Sequence, residues 1–181
     1  MTDEFSDAEL DEAWNSIPVW PVSFDADQLV LSIGTDQAGY SWLGRSMGDM
    51  TDEAAQIDIA GPPALEHQVA AELFEPEGTS AAASFFYGNH GRLTVRALGI
   101  NITETMLGPV SELSLRVRFL GAESLAFEYR ADGGPWVEEL VVDTPLDPQD
   151  VVFAMLAGSF IVPKVPGEVR IERFAACGAE R

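Results

Sequence analysis

The residues able to do chemistry in this chain are scattered, and most fail the spacing that a reaction would need. His67 and His90 lie far apart with no ligand pattern around them, so neither marks a metal site. His67 reads as one side chain of a half-buried strand face. His90 reads as a turn residue, placed where loops carry ligand contacts. Gly44-Arg45-Ser46-Met47-Gly48 looks like the glycine-flanked serine of a nucleophile elbow. That device needs a sharp strand-to-helix turn, and the segment here reads as strand, so Ser46 is not a nucleophile. Retaining glycoside hydrolysis needs two acids about 5–5.5 Å apart. A Glu-x-Asp-x-x-Glu strand is absent, and Glu138 and Glu139 point to opposite faces of any strand. Glu139 and Asp143 share a face, but nothing local would raise either pKa. No catalytic residue is assigned.

Aromatic residues are the stronger signal. Trp20, Trp42, Tyr87, Tyr129 and Trp136 exceed what one core requires. An aromatic plane can bury the apolar face of a sugar while polar neighbours bond its hydroxyls. The candidate ligand-binding residues are Trp42, Arg45, Tyr87 and His90. Trp42 or Tyr87 would stack, and Arg45 or His90 would bond hydroxyls. Trp42 and Arg45 have opposite parity on one strand, so they share a face only across a bulge.

Charge and composition narrow the partners. The net charge is −20, and Arg45 is the only basic side chain in the first sixty residues. That field repels phosphate backbones and anionic lipid, so nucleic acid and membrane surfaces are excluded as partners. It favours a neutral oligosaccharide over an acidic one. No run approaches the roughly 18 apolar residues of a membrane helix. The N-terminus has neither a basic start nor an apolar stretch, so no signal peptide is expected and a cytoplasmic location is the default. The lone Cys177 rules out an internal disulfide framework and a Cys-rich zinc site. No cofactor is expected.

The elements that must position these residues read as strands. Leu29–Ile33, Tyr40–Met47 and Leu65–Phe74 come first, the last with Leu65, His67, Val69, Ala71 and Leu73 on one face. Ala81–Tyr87 and Arg92–Leu98 follow, joined by the turn Gly88-Asn89-His90-Gly91. Leu113–Phe119, Ser124–Arg130, Val137–Val142, Val151–Leu156 and Glu168–Phe174 complete the series. Asp132-Gly133-Gly134 is a hairpin turn signal. One helical turn is expected over Asp7–Trp14, and 48–63 reads as mixed, helix-friendly at Asp52-Glu53-Ala54-Ala55. About eleven strands with regular turn signals make one all-β domain over 1–181, a two-sheet antiparallel jelly-roll sandwich.

Several stretches also carry a resemblance. They include Phe5-Ser6-Asp7 through Leu10 to Trp14-Asn15, Asp27-Gln28-Leu29-Val30-Leu31, Trp42-Leu43-Gly44-Arg45, Ala81–Tyr87 with Leu93-Thr94-Val95, Phe127 to Trp136, Ala157-Gly158-Ser159-Phe160, and Arg173-Phe174. In this order they resemble the concanavalin A-like lectin/glucanase sandwich. The nearest likeness is the β-sandwich domain that follows the propeller in glycoside hydrolase family 43 β-xylosidases, and the domain family DUF1349. Residues 48–63 depart from that pattern as an insertion. The xylosidase catalytic acids lie in the propeller, which this chain lacks. The resemblance therefore implies a non-catalytic carbohydrate-binding or glycoside-hydrolase accessory module. Two alternatives stay open: a cytosolic protein-interaction or homo-oligomerising sandwich, and a glycoside-active enzyme with an unrecognised acid pair.

Overall fold

The computed structural model describes residues 2–3, 5, 10, 12–61, 63, 66–76, 78, 81–88, 90–97, 100–144 and 146–178. These form fifteen strands and, among the described residues, no helix. In chain order they are β1 (Thr2–Asp3), β2 (Asn15–Ile17), β3 (Val22–Asp25), β4 (Gln28–Ile33), β5 (Gly39–Ser46), β6 (Glu53–Ala60), β7 (Gln68–Phe74) and β8 (Ala83–Gly88). Then follow β9 (Arg92–Ala97), β10 (Ile100–Met106), β11 (Glu112–Leu120), β12 (Ser124–Ala131), β13 (Val137–Asp143), β14 (Val152–Ser159) and β15 (Gly167–Gly178).

The first sheet runs β13-β12-β11-β6-β15-β4-β3, with β1 also paired to β15. The second runs β10-β9-β8-β7-β14-β5-β2, and every pairing in both sheets is antiparallel. This is the expected two-sheet jelly-roll sandwich. The strong period-two alternation explains why each strand commits one face inward. Val69, Ala71 and Leu73 of β7 are fully buried, as are Leu113, Leu115, Val117 and Phe119 of β11. The sheets meet through ring contacts. Phe85 of β8 packs edge-on against Phe127 of β12 at 5.7 Å, and Phe153 of β14 lies 5.1 Å from Phe174 of β15.

The hairpin expected at Asp132-Gly133-Gly134 is present. Asp132 (φ 50°) and Gly133 (φ 68°) both take the left-handed conformation, and Gly134 N–H donates to Ala131 O at 2.9 Å. That is a tight turn with two successive positive φ values, set within the longer connection between the last paired residues, Tyr129 of β12 and Val137 of β13. Asp132 also caps the neighbouring chain: its Oδ1 accepts from the Ser111 hydroxyl and from the Ser111 and Glu112 amides. Those donors hold its carboxyl below the ordinary value.

Three expectations change. Residues 53–60 are not helix-friendly insertion but β6, an interior strand paired to both β11 and β15. Burial on both faces overrides the local preference of Glu53-Ala54-Ala55. The stretch between Leu98 and Leu113 contains β10, which was not anticipated. The strand expected from Leu65 begins at Gln68: Glu66 lies in a turn and His67 is buried beside it, its Nε2 2.9 Å from Val165 O. Leu65, Asn89 and the helical turn's start at Asp7 lie outside the described residues.

Candidate ligand-binding face

The two outer faces of the sandwich differ in chemistry. On the first sheet, arginines and acids are paired off. Arg116 and Arg118 bond both oxygens of Glu128 at 2.7 and 2.9 Å, Arg173 reaches Asp58, and Arg170 bridges Asp25 and Glu168. Trp136 is covered by Arg116, whose guanidinium carbon stands 3.9 Å from the ring centre. Burial opposes ionisation of Glu128, but the hydrogen bonds from Arg118 and Arg116 outweigh it and hold the carboxyl below its usual value. Such a face is consistent with a self-satisfied ionic surface.

The outer face of the second sheet is built otherwise. Register alone aligns one row across six strands: Asn15, Gly44, Ala154, Glu72, Ser84 and Arg96 are successive partners from β2 to β9. At ordinary strand spacing that row is roughly 24 Å long. The next row holds Ile17, Trp42, Leu156, Ala70, Phe86, Thr94 and Glu104. Small residues in the middle strands leave room for large neighbours to lie along the sheet. The Trp42 indole lies over Gly44, where any Cβ would collide with its six-membered ring. Phe74 meets that indole edge-on at 6.2 Å. Together Trp42, Phe74, Asn15, Ser46, Glu72 and Val152 line an open depression of about 1090 Å³.

Glu72 is the buried charge of this face, 6% exposed. Its Oε1 accepts a hydrogen bond from Ser84 Oγ at 2.9 Å. Burial raises its pKa, opposed by the Ser84 bond and by the charge of Arg96. Beyond it, Tyr40 O–H donates to Gln68 Oε1 at 2.7 Å, and burial pushes the phenol above its ordinary value. A second, smaller depression of about 230 Å³ lies beside Arg92, Thr94, Arg96, Gln68 and Phe160.

The four sequence candidates do not assemble. Trp42 lines the large depression. Arg45 points the other way, as parity on β5 requires. It is 6% exposed, with its guanidinium carbon 5.3 Å from the Trp14 ring centre and 5.9 Å from that of Phe174. It belongs to the interior and cannot reach a ligand on the outer face. Tyr87 also points inward, 2% exposed, and its hydroxyl donates to Gly108 O at 2.8 Å. It cannot act as a stacking platform at the rim. His90 is exposed in the β8–β9 turn with φ 72°, and it lines neither depression. Gly44, Phe74, Glu72, Ser84 and Arg96 were missed. The signal was the other parity of strands already recognised: reading Gln68, Ala70, Glu72 and Phe74 as a face would have shown a mixed aromatic and polar surface. Among the described residues, no group of three or more His, Cys, Asp or Glu could hold a metal ion.

No protein-family model and no curated protein matches the sequence. Solved structures do. The CBM2 module of the evolved Dit of Lactobacillus casei BL23 phage J-1 superposes with a TM-score of 0.74 at 7% identity, over 97% of this chain and 93% of that one. The Emp47p carbohydrate recognition domain gives 0.66 at 9% identity, over 97% and 93%. The GH43 protein BlXynB from Bacillus licheniformis gives 0.70 at 13% identity, over 98% of this chain but only 39% of that one. At these identities the likeness shows the fold alone, a two-sheet antiparallel jelly-roll sandwich.

Proposed function

We propose that this chain is a non-catalytic carbohydrate-binding or glycoside-hydrolase accessory sandwich that lays a neutral oligosaccharide along the outer face of its second sheet. One observation carries the reading: an indole, Trp42, lies over Gly44 in an open depression with Asn15, Ser46 and Glu72 beside it. A sugar ring would stack on the aromatic surface and bond its hydroxyls to those polar groups. Glu72 spends one acceptor position on Ser84, and a carboxylate has others to offer. The acid pair considered for catalysis supports this assignment by default, since Glu139 is engaged by Thr103 and Thr105 away from the depression. The test is calorimetric titration with xylo-, gluco- and arabino-oligosaccharides, alongside a Trp42→Ala variant checked for folding by circular dichroism. Wild type should bind at least one series, and the variant should lose most of that affinity.

One observation favours oligomerisation as a second reading. Phe160, Ile161, Val162 and Val165, in the connection from β14 to β15, are all more than half exposed. Exposed apolar clusters often mark protein contacts. Light scattering that returns a monomer up to high micromolar concentration would remove this reading.

A further inference from the structure

The large depression beside Trp42 is lined by two acids and, among the described residues, by no base. Glu75 stands at its rim just past the end of β7, in a turn closed by the Gly78 N–H, which donates to Glu75 O at 2.8 Å. Its side chain is exposed, and no described cation pairs with its carboxylate. Glu72 is different in kind. It is 6% exposed, yet only Oε1 has a donor, Ser84 Oγ, and no described group bonds Oε2. A nearly buried carboxylate with one oxygen unmet is costly to ionise unless a cation comes to it. Burial accordingly raises its pKa, with the Ser84 bond and Arg96 opposing. Arg96 offsets that cost only in part. Its backbone lies two strands along the row, roughly 10 Å away at ordinary strand spacing. Its guanidinium stacks on Phe86 and Phe160, and it does not line the depression. The wall beside the two acids is aromatic, with Trp42 and Phe74 in edge-on contact at 6.2 Å. Indole is the side-chain ring that attracts a cation most strongly.

We propose that this depression is an amino-sugar site, taking an oligosaccharide in which at least one residue carries a free ammonium group. The inference rests on the glycan-binding reading and names the ligand class of the same site. The sugar ring stacks on Trp42, and its ammonium donates to Glu72 Oε2 and to Glu75. An ammonium has three donors and no acceptor, so it matches two carboxylates better than a hydroxyl does, and hydrogen bonds between ionised partners are the stronger kind. The overall charge of −20 draws a cation toward the chain from any side. At physiological ionic strength that field is screened beyond about 8 Å, so selectivity between sugars belongs to the groups in contact.

The experiment titrates the intact chain, at physiological ionic strength, with matched β-1,4-linked trisaccharides of glucose, glucosamine and N-acetylglucosamine, and with xylo- and arabino-oligosaccharides alongside. The glucosamine form should bind ten-fold or more tighter than either neutral counterpart. Glu72→Gln, which keeps an acceptor for Ser84 and is checked for folding by circular dichroism, should bring that ratio close to one. Glu75→Gln at the exposed rim should lower it by less. Glu123→Gln removes an exposed acid between β11 and β12 of the other sheet, and it should leave the ratio unchanged. Equal binding of the three trisaccharides, or binding of neutral sugars alone, with Trp42 still required, would overturn the amino-sugar site and leave the glycan-binding reading intact. A preference that survives Glu72→Gln, or that Glu123→Gln lowers as much, would assign it to the overall field and overturn the site. No binding by any of the probes would overturn both.

Discussion

Glu139 Oε1 on β13 accepts a hydrogen bond of 2.6 Å from Thr105 Oγ1 on β10, and Thr103 Oγ1 donates to the same oxygen at 3.0 Å. β13 and β10 are edge strands of different sheets. The contact therefore clasps one open side of the sandwich, where backbone pairing ends and no ladder can tie the two layers. It also explains the odd pattern of β10: after the irregularity between Asn101 and Thr103, the hydroxyls of Thr103 and Thr105 lie in register with buried Val95 and Leu93.

Glu139→Ala should cost about 1–2 kcal/mol, the usual scale for losing hydrogen bonds to a charged group. Denaturant melts would measure it, and hydrogen exchange should quicken in β10 and β13 before the central strands. Uniform exchange change across both sheets would mean that the clasp is not local.

At the β12–β13 turn, Gly133 has φ 68° with open space where a Cβ would stand. Backbone conformation, not crowding, is the constraint there. Gly133→Val should destabilise by at least about 1 kcal/mol, and Gly133→Asn, which tolerates left-handed backbone, by less. Equal stability of the two variants would contradict the assigned turn.

Much of the fold was legible because inward alternation is strong in Leu113–Phe119 and in Val69, Ala71 and Leu73, and because Asp132-Gly133 specifies its turn. β6 was hidden by composition: Glu53, Ala54 and Ala55 favour helix locally, and only long-range pairing to β11 and β15 makes them strand. β10 was hidden because its hydroxyls face inward while Ile102 and Met106 are exposed, the reverse of the usual pattern. The candidate face was legible in Trp42 alone. Gly44, Glu72, Ser84 and Arg96 become one row only through the register of β5, β14, β7, β8 and β9, which no local window contains. Arg45 was misplaced because a charged residue inside a sandwich is rare. Trp14 and Phe174 accommodate it by stacking.

Glu72 should make stability pH-dependent in a definite direction. Burial first, against the Ser84 bond and Arg96, raises its carboxyl above the ordinary glutamate value. The folded chain therefore holds this proton to higher pH than the unfolded chain does. Stability from this group falls as pH rises from about 4.5 through the raised folded value, and the penalty persists at neutral pH. Glu72→Gln, which keeps an acceptor for Ser84, should be more stable than wild type at pH 7 and no more stable at pH 4. The reverse ordering would show that the ionised carboxylate is favoured by its surroundings.

The most direct test of the central claim is an amide and indole proton–nitrogen correlation spectrum recorded during oligosaccharide titration. The account predicts shifts at the Trp42 indole and at the amides of Gly44, Glu72 and Ser84. It also predicts that Trp42→Ala weakens binding ten-fold or more, about 1.4 kcal/mol. Shifts clustered instead around Trp136 on the first sheet, or no binding tighter than about 1 mM by any series, would contradict it.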